Sequence, residues 1–330
     1  PRRRKAPRKQ VQIRWHHQRL LLLYLPFFSF FDHSLSRKIT SCLKQISRYW
    51  LMRVISDDKD EGKRRCMGIL DDFKLDGKVA VVTGSGQGIG RGIAWGLAEA
   101  GCNVAINARR QEHLEETAKG IEERGSEVLI FAGDIRDQSD TLAELTVAKF
   151  GKLDIWVNNV GGSDEKKTRK LIDTPDEVFR NQVELNLTTA FQGAKAAAKK
   201  MSQGGSIINI ASGAGMRGSP FTGPYAAAKA GMLNMNETLA IELAPEIRVN
   251  AISPGPVVTE MFAEVLGADG AQEEIASSIP LGFLGTPNDI ASAVVFLSSP
   301  AARWVTGRNL LVAGGRTHRS YQYQNKLEED

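Results

Sequence analysis

The chain has 330 residues and a hydrophobic content of 42%, which is ordinary for a globular protein and sufficient for one large domain with an appendage or for two small domains. Its formal charge of +5 is unevenly spread, because residues 1–66 hold 17 Lys and Arg against 5 Asp and Glu, whereas the remainder holds 26 against 33. The globular part therefore gives no argument for nucleic-acid binding, and three scattered cysteines support neither a disulfide framework nor a zinc site.

The first 66 residues differ from the rest of the chain. A basic run precedes a twelve-residue apolar block at 20–31, which contains Pro26 and is too short to cross a membrane as a helix. No small-residue cleavage site follows it, so a signal peptide is disfavoured, while the Arg and Ser content keeps a transit peptide as an alternative. We expect residues 1–66 to be a disordered or spurious extension, a catalytic domain to begin at Met67, and the protein to be cytoplasmic.

From residue 78 onward, strand-length apolar runs alternate with amphipathic helical stretches. The predicted strands are 78–83, 103–107, 128–132, 154–158, 206–210, 248–252 and 309–312. The predicted helices are 89–100, 111–124, 138–150, 175–202, 224–244 and 288–298. This alternation is typical of the α/β class, and it predicts a single doubly wound Rossmann-type domain at 67–316 with a seven-stranded parallel sheet flanked by helices on both faces.

Two segments fall outside this alternation. The stretch 253–287 is rich in Pro and Gly, and a long loop of this kind in a compact domain is expected to lie over a functional site as a lid. Residues 317–330 form a polar carboxyl-terminal tail.

The first predicted strand continues into a glycine-rich turn that leads directly into a helix. The turn reads Thr83-Gly-Ser-Gly-Gln-Gly-Ile-Gly90, with the spacing G-x-x-x-G-x-G at Gly84, Gly88 and Gly90. Glycines let backbone amides approach a pyrophosphate at a helix amino terminus, where the dipole favours anions. A glycine-rich turn alone is a weak signal, but between a strand and a helix it strongly indicates dinucleotide binding.

Tyr225 and Lys229 form the second constellation of reactive groups. They stand four residues apart just after Pro224, so the start of a helix would place both side chains on one face. A lysine ammonium next to a tyrosine favours the phenolate and is expected to lower the tyrosine pKa. Ser212 follows the apolar run 206–211, at the carboxyl end of a predicted strand, where open α/β sheets bind their ligands.

From about residue 73 to residue 315 the chain resembles a classical short-chain dehydrogenase/reductase. The motifs that carry the resemblance occur in family order: Thr83-Gly84-x-x-x-Gly88-x-Gly90, Asp134, Asn158-Asn159-Val160-Gly161, Asn186, Ser212, Tyr225-x-x-x-Lys229, and Pro254-Gly255 with Thr259. The chain departs from the family pattern at Val160, where the family usually carries alanine, and in the polar segment after Gly315.

The resemblance implies a role for each of four catalytic residues. Tyr225 would act as the general acid/base on a carbonyl or hydroxyl oxygen while hydride passes to or from a nicotinamide, and Ser212 would stabilise the same oxygen. Lys229 would lower the pKa of Tyr225 and bind the nicotinamide ribose, and Asn186 would hold a water in a proton relay. The five histidines lie outside these motifs, which argues against histidine catalysis and against a metal site. An inactive nucleotide-binding scaffold is the alternative, which the presence of both Tyr225 and Lys229 disfavours.

The choice of cofactor depends on the end of the second predicted strand. An acidic residue there would pair with the ribose of NAD, but the chain carries Asn107 followed by Arg109 and Arg110. Guanidinium groups bind phosphate well, so NADP is preferred over NAD. The predicted cofactor contacts are Gly84, Ser85, Gln87, Gly88, Ile89, Gly90, Asn107, Arg109, Arg110, Asp134, Ile135, Asn159, Val160, Gly161, Tyr225, Lys229, Pro254, Gly255, Val257 and Thr259.

The predicted substrate pocket is mainly apolar. Its members are Gly162, Ser212, Met216, Phe221, Met261 and Phe262. Such a pocket suits a hydrophobic ketone or secondary alcohol, such as a 3-oxoacyl thioester or a hydroxysteroid. The polar residues Ser163, Asp164 and Glu165 keep a sugar or polyol open as the alternative.

The helices predicted at 175–202 and 224–244 carry apolar residues on more than one face. These residues are Phe191, Ala194, Ala198, Met201, Met232, Met235, Leu239 and Leu243. One sheet covers only one face of each helix, so we expect the second stripe to bury against another subunit. The resemblance implies a two-fold four-helix interface, so a homodimer or homotetramer is expected, with no nucleic-acid or membrane partner.

Overall fold

The computed structural model describes residues 68–163, 169–260 and 271–315. The predicted extension at 1–66 and the predicted tail at 317–330 lie outside these ranges, so the domain boundaries stay predictions. Met261, Phe262, Asp164 and Glu165 lie outside them as well. No helix within the described ranges is both long enough and apolar enough to span a bilayer.

The predicted α/β fold is confirmed by a sheet of seven parallel strands. Their order across the sheet is β3-β2-β1-β4-β5-β6-β7. The first three strands are therefore added towards one edge of the sheet, and β4 to β7 are added towards the opposite edge. The strands are β1 (Val79–Thr83), β2 (Asn103–Ala108), β3 (Val128–Ala132), β4 (Ile155–Asn158), β5 (Gly205–Ile210), β6 (Ile247–Pro254) and β7 (Asn309–Val312). Strands β1, β4 and β5 are buried along their whole length, as is typical of a parallel sheet covered on both faces.

Eight α-helices connect or flank the described strands. They are α1 (Gly88–Glu99), α2 (Gln111–Glu122), α3 (Ser139–Phe150), α4 (Asp176–Val183), α5 (Thr189–Lys200), α6 (Gly223–Glu242), α7 (Ala271–Ser277) and α8 (Pro287–Ser298). Neighbouring strand residues point to opposite faces, since Val82 and Ile208 pack with α1 and α8 while Val81 and Ile207 pack with α3 and α5.

The single helix predicted at 175–202 is wrong. The structure divides it into α4, a π-helical turn at Glu184–Thr188, and α5. The sequence prediction treated the stretch as one helix, because a π-helical turn continues an α-helix and differs from it in hydrogen bonds that span five residues. The turn contains the buried Asn186, so the irregular segment coincides with a predicted catalytic residue.

The predicted loop at 253–287 contains regular structure in its second half. Helix α7 lies there, and an isolated bridge joins Val257, near the beginning of the segment, to Gly285, near its end. The amide of Val258 also donates to the carbonyl of Gly285 at 2.9 Å, so the two ends of the segment are joined. Residues 261–270 lie outside the described ranges, and the role of a lid therefore stays a prediction.

Most of the residues expected to bury against another subunit are instead packed in the hydrophobic core of this subunit. Ala194 and Met232 are fully buried. Ala198, Met201, Leu239 and Leu243 pack against the cluster that α3, α5 and α6 form on one face of the sheet. Phe191 is 46% exposed and remains available for a partner, so self-association stays a prediction carried by fewer residues than expected.

A row of buried hydrogen bonds joins two strands to α6. Trp156 Nε1 donates to Asn158 Oδ1 at 2.7 Å, and Asn158 Nδ2 donates to Asn209 Oδ1 at 2.9 Å. Asn209 Nδ2 then donates to Asn236 Oδ1 at 3.1 Å. Buried polar groups are tolerated when they pair in this way, and here they tie β4, β5 and α6 together at defined positions.

We predict that Gly193→Ala destabilises the protein, although alanine normally favours a helix. A Cβ atom at Gly193 would lie 2.2 Å from Asn158 Oδ1 and 2.7 Å from Trp156 Nε1, so the row of hydrogen bonds must shift. Overpacking of this kind should lower the unfolding free energy by about 2 kcal/mol, which corresponds to roughly 4–8 °C in Tm. Circular dichroism melting of Gly213→Ala is the control, since a Cβ there lies 3.9 Å from its nearest neighbour. A Tm for Gly193→Ala equal to or above the wild-type value would contradict the packing described.

Candidate active site

The carboxyl ends of the central strands bring many of the predicted site residues to one edge of the sheet. A cavity of about 330 Å³ opens there. Its walls include residues from the glycine-rich turn, from the segments that follow β4, β5 and β6, and from the start of α6. The predicted residues that line it are Gly84, Gln87, Gly88, Ile89, Gly90, Asn159, Gly161, Gly162, Ser212, Tyr225, Lys229, Pro254, Gly255 and Thr259.

Ser212, Tyr225 and Lys229 form one wall of this cavity. Ser212 follows β5 directly, and its side chain accepts a hydrogen bond from the Ala214 amide at 3.2 Å. Tyr225 lines the same wall, close enough to Ser212 for that side chain to influence its pKa. Lys229 is buried one turn further along α6, where its Nζ donates to the Ile210 carbonyl at 2.8 Å and lies 5.8 Å from the centre of the Tyr225 ring. The structure therefore brings the three predicted residues together.

Burial sets the protonation of this group. Burial lowers the pKa of Lys229 from 10.5 to about 7, because the ammonium loses its hydration. Burial also raises the pKa of Tyr225, and the nearby Ser212 side chain acts in the opposite direction. The expected lowering of the Tyr225 pKa by Lys229 is therefore corrected. Desolvation of the phenol dominates, and a lysine with a pKa near 7 carries only part of its positive charge at neutral pH.

Asn186 holds the backbone of the segment after β4. Its Oδ1 accepts from the Gly162 amide at 2.8 Å, and its Nδ2 donates to the Gly162 carbonyl at 3.0 Å and to the Gln182 carbonyl at 3.1 Å. A Cβ at Gly161 would lie 2.6 Å from Asn186 Oδ1 and 2.9 Å from Lys229 Nζ. Asn186 and Lys229 thus flank a position that only glycine fits. In the sequence, the only signal for the contact between Asn186 and the Gly162 backbone was an asparagine within a predicted helix, where asparagine is less favourable than alanine.

The glycine-rich turn has the conformation that its glycines predict. Gly84 and Gly88 have φ values of 63° and 54°, in the left-handed region that favours glycine. A Cβ at Gly90 would lie only 2.2 Å from the Gly84 carbonyl oxygen, so the turn and the start of α1 approach as backbone alone. Asn159 Nδ2 donates to the Gly84 carbonyl at 3.0 Å and holds the turn in place. Val160 packs on it, with its Cγ2 3.1 Å from the position of a Gly84 Cβ.

A second cavity of about 240 Å³ continues from the same turn towards β2 and α2. Arg109, Arg110, Asp134 and Ile135 line it, as predicted for the cofactor. Asp134 accepts from Arg136 Nε at 3.0 Å and from Nη2 at 2.5 Å, and this pairing lowers the pKa of Asp134. Because Asp134 is paired, the remaining guanidinium groups give this cavity a positive character.

Sequence reasoning missed six residues that line the second cavity. They are Gly86, Ala108, His113, Gly133, Leu185 and Arg136. His113 lies about one helical turn beyond Arg109 and Arg110, at the start of α2, so helical spacing after the predicted strand was a signal that could have identified it.

Asn107 lines the second cavity, and its contact with the cofactor stays a prediction, although its side-chain amide is already engaged. Its Nδ2 donates to the carbonyls of Phe131 and Gly133, both at 3.0 Å, so the side chain ties β2 to β3. The next residue in the strand faces the other way. The Cβ of Ala108 lies 3.0 Å from the position of a Cβ on Gly86, so Ala108 is the residue whose side chain adjoins the glycine-rich turn.

Two predicted cofactor contacts, Ser85 and Val257, line neither of these cavities. Ser85 is fully buried, and its side chain exchanges hydrogen bonds with the backbone of Asn107. Val257 is buried and forms the bridge to Gly285. Both residues therefore support the walls of the site rather than forming its surface.

The predicted substrate pocket is only partly assembled by the described residues. Gly162 and Ser212 line the first cavity. Phe221 instead lines a separate groove near the start of α6, together with Leu171 and Arg217, and it has a left-handed φ of 65°. Met216 is 41% exposed and lines neither that groove nor the two cavities.

Comparison with known proteins finds relatives over most of the chain. Residues 84–317 match the family model described as enoyl-(acyl carrier protein) reductase. An uncharacterized oxidoreductase of Mycobacterium tuberculosis is 39% identical over 254 residues, which cover 76% of this chain and 95% of that protein. The 7alpha-hydroxysteroid dehydrogenase of Escherichia coli is 35% identical over 250 residues, which cover 74% of this chain and 96% of that protein. A solved structure of a 7alpha-hydroxysteroid dehydrogenase complexed with NADH and 7-oxo glycochenodeoxycholic acid has a TM-score of 0.70 and 33% identity, and covers 77% of this chain and 99% of that chain.

We predict that Lys229→Met raises thermal stability most strongly at low pH. With a folded pKa of about 7 and a reference value of 10.5, the unfolded chain binds one more proton between these values, so burying the lysine costs stability that grows as pH falls through this range. Methionine removes that cost, and each 1 kcal/mol gained should raise Tm by about 2–4 °C. Calorimetric Tm values from pH 6 to 10 test this, with the exposed Lys195→Met as control. A difference in Tm between wild type and Lys229→Met that does not vary with pH would contradict the proposed burial cost.

Proposed function

The chain belongs to the classical short-chain dehydrogenase/reductase family and is an oxidoreductase of alcohol or ketone groups, and we propose that it is an NADPH-dependent reductase of a hydrophobic ketone. The observation that carries this proposal is the convergence of Ser212, Tyr225 and Lys229 on one cavity with the glycine-rich turn. An acid/base pair and a dinucleotide-binding turn in one cavity suit hydride transfer coupled to proton transfer.

The residues around the turn fit a dinucleotide. The cradle exists because Gly90 and Gly161 carry no side chain, since a Cβ at either would overlap a neighbouring backbone or side-chain atom. The first turn of α1 borders the same cavity through Gly88, Ile89 and Gly90, and its dipole favours a phosphate. When bound there, a nicotinamide cofactor supplies or accepts the hydride.

Tyr225 is proposed as the general acid and Ser212 as its partner. During reduction the Tyr225 hydroxyl gives its proton to the carbonyl oxygen of the substrate as that oxygen becomes a hydroxyl. The Ser212 hydroxyl donates a hydrogen bond to the same oxygen and stabilises its growing negative charge. Their positions support this assignment because both side chains line the same cavity.

Lys229 is proposed to return the proton to Tyr225 and to bind the cofactor ribose. A pKa of about 7 lets the amine gain and lose a proton near neutral pH. Asn186 is proposed to take part in the relay through a water. Its hydrogen bonds to the Gly162 backbone support a positioning role as well, since they hold the segment that borders Lys229 Nζ.

The second cavity supports a preference for NADP over NAD. Arg109 and Arg110 line it, and the carboxylate of Asp134 is engaged by Arg136. A 2′-phosphate carries additional negative charge and binds well to guanidinium groups. NADH is bound to the structural neighbour named above, and it remains the alternative cofactor for this chain.

The proposed substrates are 3-oxoacyl thioesters or hydroxysteroids. The description of the matching family model names an enoyl thioester, which shares the acyl-thioester group but not the ketone of the first class, and the hydroxysteroid dehydrogenase relatives support the second. The same relatives favour these substrates over the sugar or polyol alternative. A cytoplasmic location and a homodimer or homotetramer are proposed as well.

We predict that Tyr225→Phe lowers kcat by a factor of about 10²–10⁴, the usual contribution of a general acid, because the ring remains and the proton is lost. NADPH consumption with a 3-oxoacyl thioester and with an oxosteroid provides the measurement. The dissociation constant for NADPH should stay within about three-fold of the wild-type value. Near-normal turnover of the variant would reject the role of Tyr225, and loss of cofactor binding would indicate that the ring supports the cavity itself.

We predict that Ala108→Asp combined with Arg109→Ala moves the cofactor preference towards NADH. The aspartate adds a repulsive charge next to the glycine-rich turn, and the loss of Arg109 removes an attractive one. The ratio of kcat/KM for NADPH to that for NADH should fall about 100-fold, if each change contributes roughly 1.4 kcal/mol. Asn107→Asp is the matched control, and it should lower Tm rather than change this ratio, because that side chain lies between β2 and β3. An unchanged ratio in the double variant would reject this reading of the second cavity.

A further inference from the structure

Glu260 connects the segment after β6 to the glycine-rich turn. Its Oε2 accepts a hydrogen bond from the Gly88 amide at 3.0 Å, and its Oε1 accepts one from Arg91 Nη1 at 3.3 Å. The Gly88 amide lies at the amino terminus of α1, where the helix dipole favours a negative group. Both contacts are therefore charge-assisted, although the Glu260 side chain remains half exposed.

Arg91 provides a firm anchor for this contact. Its side chain is only 13% exposed. Its Nε and Nη2 donate to the Gly86 carbonyl at 3.2 and 2.6 Å, and its Nη1 also donates to Glu116 at 2.9 Å. One guanidinium group thus holds the backbone of the glycine-rich turn and, at the same time, the carboxylate of Glu260.

The contact brings two walls of the proposed cofactor cavity together. Gly88 and Thr259 both line that cavity, one from the glycine-rich turn and one from the segment after β6. A Cβ at Gly88 would lie 3.1 Å from Thr259 Cγ2, so the two residues are already in contact. Glu260 follows Thr259 directly, and its hydrogen bonds pull Thr259 onto Gly88. Glu260 itself does not line the cavity.

We infer that Glu260 is a positioning residue that slows release of the cofactor. A dinucleotide in the cavity lies between walls that the Glu260 carboxylate joins from outside. Its departure requires these walls to separate, and the contacts of Glu260 with Gly88 and Arg91 must break for that to happen. This inference rests on the proposed function, since it assigns Glu260 to the cofactor cavity described above.

The dissociation rate constant of NADPH from the full chain tests the inference. Stopped-flow displacement by excess NADP follows the loss of NADPH fluorescence, and NADH is measured in the same way. Glu260→Ala removes both contacts and should raise the rate constant about ten-fold. Glu260→Gln keeps an acceptor for the Gly88 amide but loses the ion pair, so about a three-fold increase is expected.

Glu116→Gln is the matched control, because it removes the other carboxylate partner of Arg91 and leaves the cavity walls joined. Its rate constant should stay within about two-fold of the wild-type value, the size of an exposed ion pair. The rate of a single turnover with bound NADPH should be unchanged in Glu260→Ala, which separates release from chemistry. All variants should keep the wild-type Tm within a few degrees.

The possible outcomes lead to different conclusions. An unchanged rate constant in Glu260→Ala would overturn the inference and leave the proposed function intact. Slower release or tighter binding in that variant would also overturn it, because the carboxylate would then compete with the pyrophosphate for the Gly88 amide. A wild-type chain that binds neither NADPH nor NADH would overturn the proposed function and this inference together.

Discussion

The desolvation of Lys229 is the physical constraint around which the site is built. Its side chain is buried, its Nζ donates to the Ile210 carbonyl, and burial is the cause that lowers its pKa to about 7. Two glycines make this burial possible. Gly161 comes close to Nζ on one side, and a Cβ at Gly215 would lie 2.6 Å from the Lys229 carbonyl carbon on another. The chain therefore accepts a costly polar burial at one position, and such costs are typically concentrated where chemistry requires them.

The order of the strands explains why these particular segments surround the lysine. The order in which strands are added to the sheet reverses between β1 and β4. At such a point a crevice forms beyond the carboxyl ends of the parallel strands. The glycine-rich turn follows the end of β1 and forms one side of the crevice. Asn159 follows the end of β4 and lies on the other side. The hydrogen bonds from Asn159 to the carbonyls of Thr83 and Gly84 cross the crevice and hold its two sides at a defined separation.

Much of this arrangement could be predicted from the sequence, because it follows from periodicity and from glycine. The strands and the turn at Gly84, Gly88 and Gly90 are local features, and local spacing is sufficient to identify them. The position of Asn107 could not be predicted in the same way. Its identity is visible in the sequence, but the face of the strand it occupies depends on the register with β3, and a shift of one residue exchanges the two faces.

The π-helical turn at Asn186 and the rise in the Tyr225 pKa could not be predicted from the sequence for a related reason. Both depend on what surrounds a side chain in three dimensions. Asn186 is drawn to the backbone of Gly162, which is distant in the chain, and Tyr225 responds to the water that the fold excludes. The contact of Glu260 with Arg91 likewise joins residues that are far apart in sequence, so no motif could indicate it.

The row of buried side chains from Trp156 to Asn236 has a direction. An indole nitrogen only donates hydrogen bonds, so Trp156 requires the oxygen of Asn158 to face it. The amide nitrogen of Asn158 must then face Asn209, and that of Asn209 must face Asn236, so the choice made at the first amide passes to the last. In each bond the donor is the residue nearer Trp156, and the last acceptor, Asn236, lies on α6. The indole on β4 thus determines the orientation of a series of side-chain amides that ends on the helix bearing Tyr225 and Lys229.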